Sequence, residues 1–122
     1  MSETYESIML NGPERNVEYL GIFVAWLVSN NLLAVEIEQA VGSTTARLRM
    51  QDLTGPAFLT TVLHGELKPG HLSETGRKFS EFYFVSGKYR TDYDACNVKG
   101  ENDWIDYDEV SPRISAAFRE FS

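Results

Sequence analysis

Apolar residues recur at helical spacing along most of the chain. In the second half, Leu72, Gly76, Phe79 and Tyr83 lie at positions i, i+4, i+7 and i+11, which is the stripe of a helix packed against a core. Ser73 stands where an N-cap is expected. The pattern therefore predicts a helix that begins after Ser73 and around which the rest of the chain is organised.

A second helix is predicted at about residues 16–30. Leu20, Phe23 and Leu27 mark one apolar face, and Ile22 belongs to another. A helix that is apolar most of the way round is usually covered by neighbours on several sides. We therefore expect this helix to be central.

Shorter helical patterns occupy residues 32–41, 54–64 and 111–121. The pattern of residues 44–53 does not distinguish a helix from another type of secondary structure. Ser111-Pro112 fits a helix start, with serine as the cap and proline in the first turn. Strand signals are scarce, because no run alternates cleanly between apolar and polar residues. The prediction is an all-α, compact single domain of five or six short helices around the central one.

Three further expectations concern particular segments. Residues 1–15 are predicted as an N-terminal arm, either loose or holding one short strand or helix around Ser7–Leu10, and residues 16–122 as the helical domain. The pattern of residues 87–109 is irregular. Gly21 and Gly76 fall inside predicted helices, where glycine costs about 1 kcal/mol relative to alanine, so we expect them to allow close approach of a neighbouring helix.

Composition and charge limit the classes of protein to which this chain can belong. The chain has 122 residues, of which 43% are hydrophobic and 24% charged, as expected for one globular domain. Its net charge of −7 argues against a nucleic-acid-binding protein, which needs a basic stripe, and against adsorption on an anionic membrane. A basic protein partner is compatible with this charge.

The chain also carries signals about its compartment. A single cysteine, Cys96, excludes an internal disulfide and suits a reducing environment. No basic residue precedes Arg15, so no signal peptide is expected, and the apolar run Leu20–Val28 is too short to cross a bilayer. We expect a cytoplasmic protein.

No strong catalytic motif is present in the sequence. There is no P-loop, no nucleophile elbow and no zinc-protease or Cys-x-x-Cys motif. His64 and His71 are interpreted as ordinary surface or capping residues, and Cys96 as an inert thiol. We therefore predict no catalytic residue, no metal site and no cofactor.

The segment of residues 92–109 holds most of the charge surplus. It contains seven acidic residues and one lysine, which gives −6 of the total −7, with aromatic residues between them. It does not fit a calcium-binding loop, because Asn97 stands where that loop needs glycine. Three interpretations remain: a solvated acidic loop with its rings turned inward, paired catalytic carboxylates, or an interface for a basic protein. The predicted partner-binding residues are Tyr89, Asp92, Tyr93, Asp94, Asp103, Trp104, Asp106, Tyr107, Asp108 and Glu109.

Three blocks of sequence support a family resemblance. They are Tyr19-Leu20-Gly21-Ile22-Phe23-Val24-Ala25-Trp26, the Leu72–Tyr83 stripe followed by Tyr89-x-x-Asp92-Tyr93, and Asp103-Trp104-x-x-Tyr107-Asp108 with Pro112. In this order they resemble a family of small uncharacterised bacterial cytoplasmic domains, over most of the chain from about Val17 onward. Members commonly carry histidine where this chain has Tyr19 and tyrosine where it has Phe84. The resemblance implies a role as an immunity protein encoded beside a secreted toxin, and it carries over no catalytic residue.

Three functional hypotheses follow. The first, which we favour, is an immunity protein that binds and blocks a toxin through the acidic, aromatic-rich segment. The second is a small enzyme or ligand-binding domain with an aromatic and acidic cleft, in which Tyr83, Tyr89 and Trp104 converge. The third is a structural or regulatory interaction module such as a homodimer.

Overall fold

Helices account for most of the structure. The computed structural model describes residues 6–7, 17–50, 52–63, 65–96 and 103–121. Within these ranges lie seven α-helices: α1 (Val17–Ser29), α2 (Val35–Ala40), α3 (Gly42–Arg49), α4 (Gly55–Thr61), α5 (Glu74–Ser80), α6 (Lys88–Ala95) and α7 (Asp103–Phe121). A 3₁₀ turn (Pro69–His71) precedes α5, and a π-helical turn (Glu81–Val85) follows it. The all-α prediction is confirmed, with six further α-helices in these ranges besides the central α1.

Two very short strands accompany the helices. β1 (Glu6–Ser7) and β2 (Glu66–Leu67) pair antiparallel, with Glu6 opposite Leu67 and Ser7 opposite Glu66. β1 lies inside the arm predicted for residues 1–15, and the remainder of that arm falls outside the described residues.

Helix α1 is the centre of the core, as its sequence pattern predicts. Every residue from Tyr19 to Val28 is buried. The helix packs against α4, α7 and α3, so its several apolar faces are covered by different neighbours. Trp26 also forms a hydrogen bond between α1 and α7, since its Nε1–H donates to Ser115 Oγ at 2.9 Å.

The end of α1 is closed by a specific turn. Asn31 has a φ of 61°, and the amides of Asn31 and Leu32 donate to the carbonyls of Val28 and Leu27 at 3.1 and 3.0 Å. This is the Schellman arrangement, in which a left-handed residue satisfies the last helical carbonyls. Arg49 Nη2 reinforces the turn by donating to Asn31 Oδ1 at 2.9 Å.

Helix α5 begins as predicted. Ser73 Oγ accepts from the Gly76 amide at 3.1 Å, which is an N-cap hydrogen bond. Gly76 is buried, and a Cβ atom there would lie 2.5 Å from the Leu32 carbonyl oxygen. The close approach expected at Gly76 is confirmed, although its neighbour is the segment between α1 and α2.

Gly21 also lies at a close approach between two backbones. The first residue of α4, Gly55, packs against the Gly21 carbonyl so tightly that a Cβ atom on Gly55 would collide with it. The absence of a side chain at Gly55 therefore allows α4 to pack backbone against backbone with α1 at this point, while the expectation that position 21 itself requires glycine stays a prediction.

No helix is predicted within the irregular pattern of residues 87–109, and the structure corrects this, because they contain α6 and the first part of α7. Tyr89 is the one fully buried residue in α6, so the helix carries too few apolar positions to show a period. It is held by tertiary contact, since the Tyr89 hydroxyl donates to the Tyr19 carbonyl at 2.5 Å.

The predicted helix start at Ser111-Pro112 is also wrong, because α7 begins at Asp103 and Pro112 lies in its interior. Proline has no N–H, so the carbonyl four residues earlier receives no helical hydrogen bond from it. Buried Val110 and Ile114 lie on either side of the proline and anchor α7 in the core.

Candidate functional site on helices α6 and α7

Helices α6 and α7 lie side by side with opposite chain directions. Near the end of α6, Cys96 Sγ lies 3.6 Å from the carbonyl oxygen of Glu109, early in α7. At the other end, Lys88 of α6 and Glu120 of α7 line one cleft. We call the line of contact between the two helices, from Cys96 and Glu109 at one end to Lys88 and Glu120 at the other, the seam.

The π-helical turn closes one end of this seam and forms a cleft with the two helices. The cleft has a volume of about 270 Å³. Its lining combines aromatic, apolar and charged side chains: Phe82, Tyr83, Lys88, Thr91, Asp92, Ala117 and Glu120. A single-residue widening of the helix at this point is a feature often found at functional sites.

Asp92 and Tyr83 are joined at the inner side of the cleft. The Tyr83 hydroxyl donates to Asp92 Oδ2 at 2.5 Å. Burial raises the pKa of Tyr83 well above its ordinary value, and the hydrogen bond to the Asp92 carboxylate and its negative charge add to the effect. Tyr83 is therefore a neutral donor across the physiological pH range and holds Asp92 in place.

Lys88 lies at the opposite side, where its ammonium stands over the Phe82 ring, 5.4 Å from the centroid. This is a cation–π geometry, and Phe82 keeps 37% of its surface exposed. Within the described part of the chain, Lys88 forms no ion pair with Asp92 or Glu120. The cleft thus presents separated positive and negative groups.

Cys96 carries a free, half-buried thiol next to the seam. Desolvation raises its pKa, while the nearby Arg113 guanidinium, placed to hydrogen-bond the thiol, acts in the opposite direction. A thiol with a raised pKa is mostly protonated and weakly nucleophilic at neutral pH. This agrees with the sequence interpretation of an inert, half-buried cysteine.

Three of the predicted partner-binding carboxylates are exposed on the outer side of the seam. They are Asp94 at the end of α6, and Asp108 and Glu109 in α7. Asp94 has one neighbour of opposite charge, Arg90, at 4.0 Å. The exposed carboxylates are therefore largely available to solvent or to a partner.

The aromatic part of the predicted interface needs correction. Tyr89 is 0% exposed and stacks among Tyr19, Phe23 and Phe84, so it contributes no surface for a partner. Tyr93 is half-buried against Tyr19, with ring centroids 4.9 Å apart. The rings of this segment stabilise the core because they supply the apolar area that α6 otherwise lacks.

Tyr107 is also half-buried. Desolvation raises its pKa, with a smaller opposite contribution from a hydrogen bond to Ser29. Tyr107 therefore connects α7 to the end of α1. The side chains of Asp103, Trp104 and Asp106 lie outside the described residues. The convergence of Tyr83, Tyr89 and Trp104 in a cleft therefore stays a prediction for Trp104. It is wrong for Tyr89, which lies with its ring centroid 5.8 Å from that of Tyr83 but does not line the cleft.

Most of the cleft could not be found from the sequence, since only Asp92 and Tyr83 of its seven lining residues were singled out there. Lys88, Thr91 and Glu120 were not among the predicted site residues, and Asp92 was. The i, i+4 spacing of Lys88 and Asp92 was the available signal, but it has meaning only on a helix, and α6 was not predicted. His71 serves a structural role, since its Nδ1 accepts from the Lys68 amide at 3.2 Å, and His64 falls outside the described residues.

The described residues contain neither a metal-binding cluster nor a membrane-spanning helix. Over those ranges, no group of three or more histidine, cysteine or acidic side chains is arranged to hold a metal ion. None of the helices there combines the length and apolarity that a membrane span requires.

Comparison with known proteins gives a family and no characterised relative. The model of DUF7832, a domain of unknown function, matches residues 10–107, which is most of the chain. No curated protein and no solved structure matches the chain. The chain therefore belongs to the DUF7832 family, a family of domains of unknown function.

Proposed function

We propose that this chain is a binding protein that recognises a basic protein partner through the outer side of α6 and α7. The partner we favour is a toxin that the chain blocks, which makes the chain an immunity protein. The residues assigned to the contact are Asp94, Asp108 and Glu109.

The supporting observation is the contact between Cys96 and the Glu109 carbonyl at 3.6 Å. Because this contact brings the end of α6 against α7, Asp94 and the Asp108–Glu109 pair belong to one end of the seam. All three are exposed. Carboxylates grouped on a rigid helical pair attract a positively charged surface and oppose a negative one.

The overall charge supports the same proposal. The chain carries −7, and −6 of it falls on residues 92–109. A field concentrated in this way accelerates encounter with a basic partner and makes association sensitive to salt, because the Debye length falls from about 10 Å at 0.1 M to about 3 Å at 1 M.

The inward position of the tyrosines reduces the aromatic surface that is available to a partner. Since Tyr89 is buried and Tyr93 is half-buried, the contact depends on carboxylates and on the exposed helix surface, with a smaller aromatic share than the sequence indicated. A contact of this kind gains specificity and association rate from its charges.

The experiment uses genes adjacent to the one that encodes this chain. Each neighbouring frame is expressed alone and together with the chain, and growth is measured. We expect one product to be toxic alone and harmless in the presence of the chain, and we expect the two purified proteins to associate less tightly at 1 M than at 0.1 M salt.

A pair of triple variants locates the contact. Asp94→Asn, Asp108→Asn and Glu109→Gln together should weaken association at least about ten-fold, through loss of three exposed charges that each contribute up to about 1 kcal/mol. The control, Glu36→Gln, Asp52→Asn and Glu74→Gln, removes the same charge from exposed positions elsewhere and should leave association within about two-fold. Equal effects of the two triples would show that net charge, and not this surface, governs binding.

A further inference from the structure

The cleft at the end of the seam has walls of opposite charge. Lys88 reaches it from α6, Asp92 lies one helical turn further along α6, and Glu120 faces them from α7. The formal charge of the lining is therefore −1, made of one positive and two negative groups. This is a different part of the molecule from the exposed carboxylates assigned to the protein partner.

The charged groups of the cleft do not neutralise one another. Among the described residues, Lys88 contacts the Phe82 ring, and Glu120 has neither a hydrogen bond nor an ion pair. Asp92 uses Oδ2 to accept from Tyr83. Opposite charges that share a cleft without pairing are positioned to bind a molecule that carries both signs.

The remaining lining indicates the shape of that molecule. Phe82 and Ala117 provide an apolar surface between the charged groups, and Thr91 adds a hydroxyl. The volume of about 270 Å³ lies just below the range of roughly 300–1,000 Å³ typical of sites for drug-sized ligands. A ligand of amino-acid size with an alkyl stem fits these limits.

We propose that this cleft binds a free basic amino acid of the arginine or lysine class. Its carboxylate pairs with Lys88, its two positive groups pair with Asp92 and Glu120, and its alkyl stem crosses Phe82 and Ala117. The ligand's net charge of about +1 at neutral pH then balances the lining. Lys88 and Glu120 are exposed, so solvent screens these pairs and the affinity is modest.

Binding of the amino acid in the cleft is independent of the protein partner. It concerns the π-helical turn and the facing parts of α6 and α7, and its test requires only the purified chain. Failure of the amino acid to bind leaves the proposed toxin contact untouched, and the converse also holds.

The test is a titration of the ¹⁵N-labelled full chain with L-arginine, followed by amide chemical shifts. We expect saturable shifts at residues 82–92 and 117–120, with a Kd on the order of 1 mM or tighter, as for a weak small-ligand site. Absence of saturation up to about 10 mM, or saturable shifts confined to other residues, overturns the proposal.

Two ligand analogues test the need for both signs of charge. Agmatine has the arginine side chain without the carboxylate, and N-acetyl-arginine amide imitates an arginine within a protein partner. Both should bind at least about five-fold more weakly than L-arginine, because agmatine loses one exposed charged contact and N-acetyl-arginine amide loses two. Equal binding of either analogue overturns the assignment to a free amino acid.

Two single variants test the charged side chains on the two walls of the cleft. Lys88→Met and Glu120→Gln should each weaken L-arginine binding about five- to ten-fold, because each removes one charged contact from an exposed position. The controls Lys78→Met and Glu74→Gln alter an exposed ion pair of α5 with an N–O distance of 3.2 Å and should leave the affinity unchanged. Unchanged affinity in the two cleft variants overturns the proposal.

Discussion

At the scale of single residues, buried polar groups differ in whether they have a partner. Thr45 is fully buried, and its hydroxyl donates to the Gly42 carbonyl at 2.9 Å. Ser80, also 0% exposed, has no hydrogen-bond partner for Oγ among the described residues. A buried hydroxyl without a partner costs desolvation free energy that nothing offsets.

Ser80→Ala should therefore stabilise the protein by about 1 kcal/mol, because it removes the unsatisfied hydroxyl and introduces a better helix former. The measurement is the free energy of unfolding from urea denaturation. The matched variant is Ser115→Ala, which removes the acceptor of the 2.9 Å bond from Trp26 Nε1 and should destabilise by about 1 kcal/mol. A loss of stability in Ser80→Ala would mean that its hydroxyl has a partner after all.

At the scale of elements, α1 and the segment that follows it approach neighbouring elements closely at glycine residues. Gly55 contacts the Gly21 carbonyl, and Gly76 lies against the Leu32 carbonyl. At both positions the tight neighbour is backbone, which cannot move aside as the end of a flexible side chain can. The spacing of these elements therefore depends on glycine.

Gly76→Ala tests this packing. Alanine would gain up to about 1 kcal/mol in helix propensity, but its Cβ would lie 2.5 Å from the Leu32 carbonyl oxygen. We expect a net loss of about 1–3 kcal/mol, the usual cost of overpacking, and thermal denaturation will measure it. The control Gly42→Ala is also helical and has open space around it, so it should be neutral or stabilising. Equal melting temperatures for the two variants would exclude the close approach.

At the scale of the whole molecule, tyrosine rings connect α1, the π-helical turn and α6. The Tyr89 hydroxyl donates to the Tyr19 carbonyl, and the Tyr83 hydroxyl to Asp92. Burial raises the pKa of both Tyr83 and Tyr89 above the ordinary tyrosine value. The folded state therefore keeps protons that the unfolded chain would lose at alkaline pH.

Stability should accordingly fall as pH rises. Below about pH 10 both states keep these protons and the full stability is present. Above about pH 10 the unfolded chain ionises its tyrosines while the folded chain does not, so the free energy of unfolding decreases with rising pH. Tyrosinate absorbance at 295 nm and far-UV circular dichroism will follow this. We expect part of the absorbance rise to coincide with loss of helix. If all six tyrosines ionised near pH 10 with the helices intact, the two hydroxyls would not be buried.

The sequence alone determined the parts of the fold that depend on local pattern. The central helix, the stripe of α5 and its Ser73 cap could be predicted because apolar spacing and capping chemistry act within a few residues. The concentration of negative charge in residues 92–109 likewise follows directly from the amino-acid sequence.

The tertiary structure alone decided what depends on distant contacts. Helix α6 forms because Tyr89 enters the core beside Tyr19, and α7 continues through Pro112 because its neighbours on either side are buried. Neither contact produces a periodic pattern of apolar residues in the nearby sequence. The cleft joins the π-helical turn, α6 and α7, so its lining is set by how these elements pack. Rings that the sequence assigned to an interface turned inward for the same reason: burying their apolar area stabilises the core more than exposing it.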